Sequence, residues 1–126
     1  MEARAMSKRI LIVDDEEVIR KFLKIHLDKL GYEVTEAEDG EKAIEKIGRG
    51  DKFDLIICDV MMPNKNGWEV LKEVKSNPEL NGIPIILLTA KNDDVDIFKG
   101  YELGANYYIT KPFTKDQLLY GLKLMF

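Results

Sequence analysis

The sequence predicts an α/β fold: a doubly wound, five-stranded parallel sheet in the order 2-1-3-4-5, with five helices on its two faces. Three observations carry this. Short apolar or alternating runs at Arg9–Val13, Glu33–Ala37, Leu55–Cys58, Ile83–Leu88 and Asn106–Ile109 read as strands. Each is followed by a segment whose apolar residues recur at intervals of three and four, so strand and helix alternate five times. Polar residues then cluster where runs stop, at Asp14-Asp15, Asp59, Thr89 and Lys111. Of the doubly wound orders, 2-1-3-4-5 suits five units best, with its switch point between strands one and three.

The elements follow in chain order. The β-branched run Arg9–Val13 is broken by Asp14-Asp15-Glu16, a buried strand ending in acids. Ile19, Phe22, Leu23, His26, Leu27 and Leu30 form a helical face, and Gly31 is its stop. Glu33–Ala37 alternates, with Val34 and Ala37 apolar, as a more exposed edge strand does. Asp39-Gly40 marks a turn into a helix from about Glu41 to Ile47, closed by Gly48 to Gly50. Leu55–Cys58 leads to Asp59, then to a turn through Pro63, Asn64 and Gly67. A third helix spans about Trp68–Asn77, with Val70, Leu71 and Val74 on one side and Pro78 ending it. Ile83–Leu88 stops at Thr89-Ala90, and Asp93 or Asp94 caps a fourth helix carrying Val95, Phe98, Tyr101 and Leu103 up to Gly104. Asn106–Ile109 is the fifth strand. Thr110-Lys111-Pro112-Phe113 follows, and Thr114 caps a last helix with Leu118, Leu119, Leu122 and Met125 apolar.

Composition narrows the function. A chain of 126 residues suits one domain, placed at residues 8–126 with residues 1–7 as a lead-in. Hydrophobic residues at 45% and charged residues at 33% describe a globular protein with an ordinary core. The net charge of −4 with no basic stripe argues against direct nucleic-acid binding. No apolar run is long enough for a membrane span. Cys58, the only cysteine, cannot form an internal disulfide, which fits a cytoplasmic setting.

In a parallel sheet the carboxyl ends of the strands share one edge, where such folds bind ligands. Asp14, Asp15, Asp59, Thr89 and Lys111 therefore converge. Three carboxylates in one pocket repel, by about 4 kcal/mol per pair at about 4 Å in an effective dielectric near 20. A divalent cation with Lys111 brings their formal sum to zero. All-oxygen ligands favour Mg2+, or Mn2+, over zinc. Asp59 is then a nucleophile toward phosphorus, with Lys111 and the Thr89 hydroxyl holding phosphoryl oxygens. Tyr108, three residues before Lys111, is placed to respond if Thr89 moves.

Four stretches in order carry a resemblance: Ile10-Leu11-Ile12-Val13-Asp14-Asp15-Glu16, Asp59-Val60-Met61-Met62-Pro63 with Gly67, Leu88-Thr89-Ala90, and Tyr108-Ile109-Thr110-Lys111-Pro112-Phe113. Together they resemble the receiver domain of two-component response regulators, of the chemotaxis-regulator kind with a flavodoxin-like fold, over Lys8–Phe126. The resemblance implies that Asp59 accepts a phosphoryl group from a histidine kinase or histidine phosphotransfer protein. It implies a Mg2+ site made by Asp14, Asp15, Asp59 and the main-chain carbonyl of Met61, with Asp15 direct and Asp14 acting through water. It makes Lys111 a phosphoryl contact, Thr89 and Tyr108 the switch pair, and Lys111-Pro112 a cis bond. The fourth helix, fifth strand and fifth helix become the signalling face, open to a homodimer or an output partner. Such a domain catalyses only its own phosphorylation and dephosphorylation. Tyr107 stands where relatives often carry an acid, and Met61 and Lys91 occupy variable positions that influence phosphoryl lifetime.

Simpler readings sit beside these. Asp14-Asp15 alone is a solvated strand end, Thr89 a turn residue, and Tyr108 a partly buried aromatic. His26 reads as a core or boundary histidine, Cys58 as a small buried hydrophobe, and Trp68 as packing near the site. Competing functions are an aspartyl-nucleophile phosphohydrolase, a flavodoxin-like cofactor binder, and a receiver-like module that binds partners without phosphorylation. The first usually needs an acid where Met61 stands. The second needs a phosphate-cradling loop where Asp14-Asp15 stands.

Overall fold

The structure is a computed structural model and describes residues 8–62, 64–90, 99 and 101–126. Strands β1 (Arg9–Val13), β2 (Glu33–Ala37), β3 (Leu55–Asp59), β4 (Ile85–Ala90) and β5 (Tyr107–Lys111) form one sheet in the order β2-β1-β3-β4-β5. All four neighbouring pairs are parallel. The predicted order and the edge position of Glu33–Ala37 are both present.

Four helices are complete among the described residues: α1 (Glu17–Lys29), α2 (Gly40–Gly48), α3 (Gly67–Ser76) and α4 (Lys115–Met125). The predicted helix from Asp93 or Asp94 lies largely outside the described residues. Its described part, Lys99, Tyr101 and Glu102, is helical, and Gly104 follows at φ 105° as the expected stop. Residues 1–7 also lie outside the described residues.

Side chains alternating along the strands feed two cores. Leu11, Val13, Ile56, Cys58, Ile85, Leu87 and Tyr108 pack on one face against Ala43, Ile47, Val70, Leu71 and Val74. Ile10, Ile12, Leu55, Ile57, Ile86, Leu88 and Ile109 pack on the other against Leu23, Leu27, Leu118 and Leu122. The central strand β3 is buried along its whole length, as a strand covered on both faces must be.

Local chemistry ends each helix near its predicted limit. Gly31 takes φ 91° after α1, and its N–H bonds Asp28 O. Asp39 caps α2 through Lys42 N. Asn66 with Glu69 and Thr114 with Gln117 form capping boxes at α3 and α4. Asn77 is extended because Pro78 follows.

Three strands differ from expectation, with consequences for the site: β3 runs on to Asp59, which pairs with Leu88. β4 begins at Ile85 rather than Ile83, because Ile83 N closes a turn on Leu80 O and Pro84 has no N–H for a ladder. β4 and β5 both continue past the predicted ends at Leu88 and Ile109, pairing Thr89 with Thr110 and Ala90 with Lys111. Thr89 and Lys111 are therefore fixed by the sheet ladder rather than hung from loops.

Candidate functional site

The carboxyl edge of β1, β3, β4 and β5 carries the predicted residues. Carboxylate oxygens of Asp14, Asp15 and Asp59 lie within 4.8 Å of one another. Asp14 is fully buried, Asp59 is 6% exposed and Asp15 is open to solvent. The Lys111 ammonium sits 2.9 Å from Asp14 Oδ2, 2.9 Å from Glu16 Oε1 and 3.4 Å from Asp59 Oδ2. A cleft of about 660 Å3 opens over them, lined among others by Asp15, Asp59, Met61 and Lys111.

Each acid is held by its own neighbours. Asp14 Oδ1 accepts the Glu16 N–H at 2.9 Å. The Asp14 carbonyl accepts from Arg20 Nη1 at 2.6 Å, while Arg20 Nε donates to Glu36 at 3.2 Å. Arg20 thereby ties the end of β1 to the edge strand. Glu16 starts α1 without capping it, because its carboxylate accepts from Lys111 instead. Asp59 is framed from below. A Cβ on Gly67 would collide with the Asp59 carbonyl and crowd Val60, and Gly67 N donates to Val60 O at 2.8 Å. Only glycine fits that close approach.

Burial and like charge make the site electrostatically tense. The Asp59 carboxyl is pushed up to about 6, first by burial and then by the Asp14 charge, with Lys111 opposing. Asp14 is also raised by burial, against its bonds from Glu16 N–H and Lys111. Burial works to lower the Lys111 ammonium, but its bonds to Asp14 and Glu16 and the charges of Asp14 and Asp59 outweigh it and hold Lys111 above its ordinary value. Cys58 is raised well above a normal thiol, first by burial and then by Asp59 and Asp14.

The residues present fit a divalent cation. Asp14 Oδ2 is buried and meets the Lys111 ammonium at 2.9 Å as an ion pair. That oxygen keeps an unfilled coordination direction beside two further carboxylates. Hard oxygen donors from few carboxylates and an open cleft suit Mg2+ or Mn2+ with retained waters.

Thr89 and Tyr108 are 2% and 8% exposed. Tyr108 pairs in register with Leu87, two residues before Thr89, so strand alternation puts Thr89 and Tyr108 on one face of the sheet. The same alternation puts Asp59 with Leu88, Ile109 and Lys111 on the opposite face. Tyr108 does not line the cleft; it packs in the core and meets the Tyr101 ring edge-on at 5.1 Å. Lys111-Pro112 is cis. Lys91 lies outside the described residues.

The simpler expectations also find their places. Cys58 is buried on the face away from Asp59. His26 is half-buried against Phe22 at 4.5 Å between ring centres. Trp68 is half-buried and carries the Lys99 ammonium 4.0 Å from its ring centre. Sequence alone assigns Glu16 and Arg20 no roles. Glu16 directly follows the acid pair, which is a signal; Arg20 is an ordinary helix residue until β2 is seen beside it.

The chain matches the response regulator receiver domain over residues 10–123. It is 46% identical over 109 residues to the alkaline phosphatase synthesis transcriptional regulatory protein PhoP of Bacillus subtilis (strain 168), covering 86% of this chain but 44% of that one. The chain thus spans less than half the length of that relative. Among solved structures, the chemotaxis protein CheY4 of Vibrio cholerae superposes with a TM-score of 0.88 at 34% identity, covering 95% of this chain and 99% of that one. The receiver domain of a signal transduction histidine kinase from Syntrophus aciditrophicus gives a TM-score of 0.87 at 34% identity, covering 94% and 89%. Fold, site and these similarities agree, and the chain belongs to the receiver-domain family of two-component response regulators. Receiver domains of this family serve phosphorylation-controlled signalling, and no helix among the described residues is long and apolar enough to cross a membrane.

Proposed function

We propose that the chain is a phosphorylation-controlled switch whose phosphoacceptor is Asp59, with residues 8–126 as the receiver unit. The observation that carries this is one buried nucleophilic carboxylate within 4.8 Å of two further acids and 3.4 Å from a lysine. The donor is a histidine kinase or histidine phosphotransfer protein. An Asp59 carboxylate oxygen attacks phosphorus, the P–N bond to the donor imidazole breaks, and that nitrogen takes up a proton. The product is an acyl phosphate on Asp59. Water later attacks phosphorus, releasing inorganic phosphate and restoring the carboxylate.

Asp14, Asp15, Asp59 and the Met61 carbonyl would hold Mg2+, which when bound supplies charge neutralisation at the phosphoryl oxygens. Lys111 neutralises further charge, and the Thr89 hydroxyl donates to a phosphoryl oxygen. Thr89 and Tyr108 share one face of the sheet, which supports a coupled movement of the pair. The readout face comprises the helix before Gly104, β5 and α4, where Tyr101, Tyr120 and Leu124 are exposed. It is open to an output partner or a second copy of the chain. A cytoplasmic location suits this reading.

Incubation with acetyl phosphate and Mg2+, followed by mass spectrometry, tests it. One phosphoryl group should appear on Asp59. Absence of labelling in the native protein, or equal labelling of Asp59→Asn, sinks the assignment.

A further inference from the structure

The Met61 carbonyl is a useful metal ligand only if its main chain is held still. Its own side chain does not do this, being 67% exposed. Met62 packs against the core on one side, and the Gly67 N–H to Val60 O bond at 2.8 Å closes the base of the turn. The far side is held at Asn64. Asn64 has φ 68°, a left-handed conformation that asparagine and glycine tolerate. Its Nδ2 donates to Asp39 Oδ2 at 3.1 Å. Asp39 is 8% exposed, and its other oxygen accepts Lys42 N at 2.8 Å as the cap of α2. Beside this bond the Lys65 carbonyl lies against the Cα of Gly40, so close that no Cβ fits between. The turn is therefore docked on the start of α2 by one side-chain bond and one backbone approach.

We propose that Asn64 is a positioning residue, which through Asp39 fixes the main chain at Met61 for cation binding. This rests on the Mg2+ site proposed above. Glycine at this position would keep the left-handed backbone but lose the bond. The anchor is therefore a property of Asn64 itself and not of the turn's shape.

The test compares native protein, Asn64→Gly and the exchanged pair Asp39→Asn with Asn64→Asp, using titration calorimetry with MgCl2. In the exchange, the amide on residue 39 donates to the carboxylate on residue 64, and the remaining oxygen still caps Lys42 N. Asn64→Gly should raise the Kd for Mg2+ by about tenfold, the lower end of what removing an outer hydrogen-bond partner does. The exchanged pair should return to within about twofold of native. With acetyl phosphate, the Mg2+ concentration giving half-maximal labelling rate should rise alike in Asn64→Gly, with the maximal rate retained. Native affinity in Asn64→Gly overturns the proposal, as does equal weakening in the exchanged pair. A native protein that binds no Mg2+ defeats the metal-site reading itself and this proposal with it. That result is distinct, because it shows in the native titration alone.

Discussion

Replacing Asp59 by asparagine should stabilise the cation-free protein at neutral pH. In the folded chain the Asp59 carboxyl titrates at about 6, against 3.8 when unperturbed. The native state thus holds more protons than the unfolded state between those values, and stability falls as pH rises through that window. The shift corresponds to about 3 kcal/mol lost once pH exceeds about 7. Asp59 is only 6% exposed, so solvent screens little of this. Asparagine has nearly the same shape and never ionises. Urea unfolding in EDTA should therefore show Asp59→Asn more stable than native by about 2–3 kcal/mol at pH 7.5, with the gap closing toward pH 4.5. Other carboxylates titrate in both proteins, so the difference isolates position 59. Adding Mg2+ should stabilise the native protein more than the variant and narrow the gap. A variant less stable than native at pH 7.5, or a gap that does not vary with pH, would refute the argument that burial and the Asp14 charge dominate this site.

Further outcomes follow from the same geometry. Lys111→Ala should cost about 2 kcal/mol in EDTA at pH 7.5, below the range for a fully buried pair because Lys111 is partly exposed, and the cost should shrink toward pH 4.5 as Asp59 protonates; urea midpoints report it. Glu16→Gln should change stability by less than about 1 kcal/mol in the same assay, since the Glu16 side chain is 61% exposed. Cys58 should resist a thiol reagent in the native state and react at a rate set by unfolding, since it is buried and its thiol is held well above normal; rapid labelling of folded protein contradicts this. Gly67→Ala should lose about 1–3 kcal/mol and weaken Mg2+ binding, because its methyl group would meet the Asp59 backbone; unfolding and calorimetry check the two effects separately.

The fold was legible because its signals are local and repeated. Apolar residues at intervals of three and four, and stops such as Gly31 and Pro78, are written in neighbouring residues. The convergence of Asp14, Asp59 and Lys111 was legible for a different reason: parallel strands place their carboxyl ends on one edge whatever lies between. Strand limits were less so. Thr89 and Lys111 look like loop residues by polarity, yet cross-strand pairing draws them into the ladder. Arg20 bonding the Asp14 carbonyl, and Asn64 bonding Asp39 across twenty-five positions, depend on where separate turns meet in space. No periodicity records such contacts. Glu16 adjoins the acid pair, yet its place at a helix start predicts capping rather than a bond to a lysine ninety-five residues away.

Including Glu16 changes how the lysine can act. Lys111 is shared among three carboxylates, two at 2.9 Å and one at 3.4 Å. A phosphoryl group on Asp59 would bring a stronger claim on that ammonium, and one of the existing contacts must yield. Asp14 is fully buried, and leaving a buried carboxylate without its cation costs several kcal/mol unless another charge replaces it. Glu16 is 61% exposed and can turn into water at little cost. The contact with Glu16 is therefore the one that gives way, so Lys111 can follow the phosphoryl group while Asp14 keeps its partner. Asp59 and Lys111 alternate onto one face of the sheet and Thr89 and Tyr108 onto the other. The lysine thus lies on the α4 side of the sheet, opposite the face that carries Thr89 and Tyr108. Thr89, 2% exposed near the carboxyl end of β4 and beside Ala90 of the cleft, is the residue the proposed switch uses to carry the change to Tyr108.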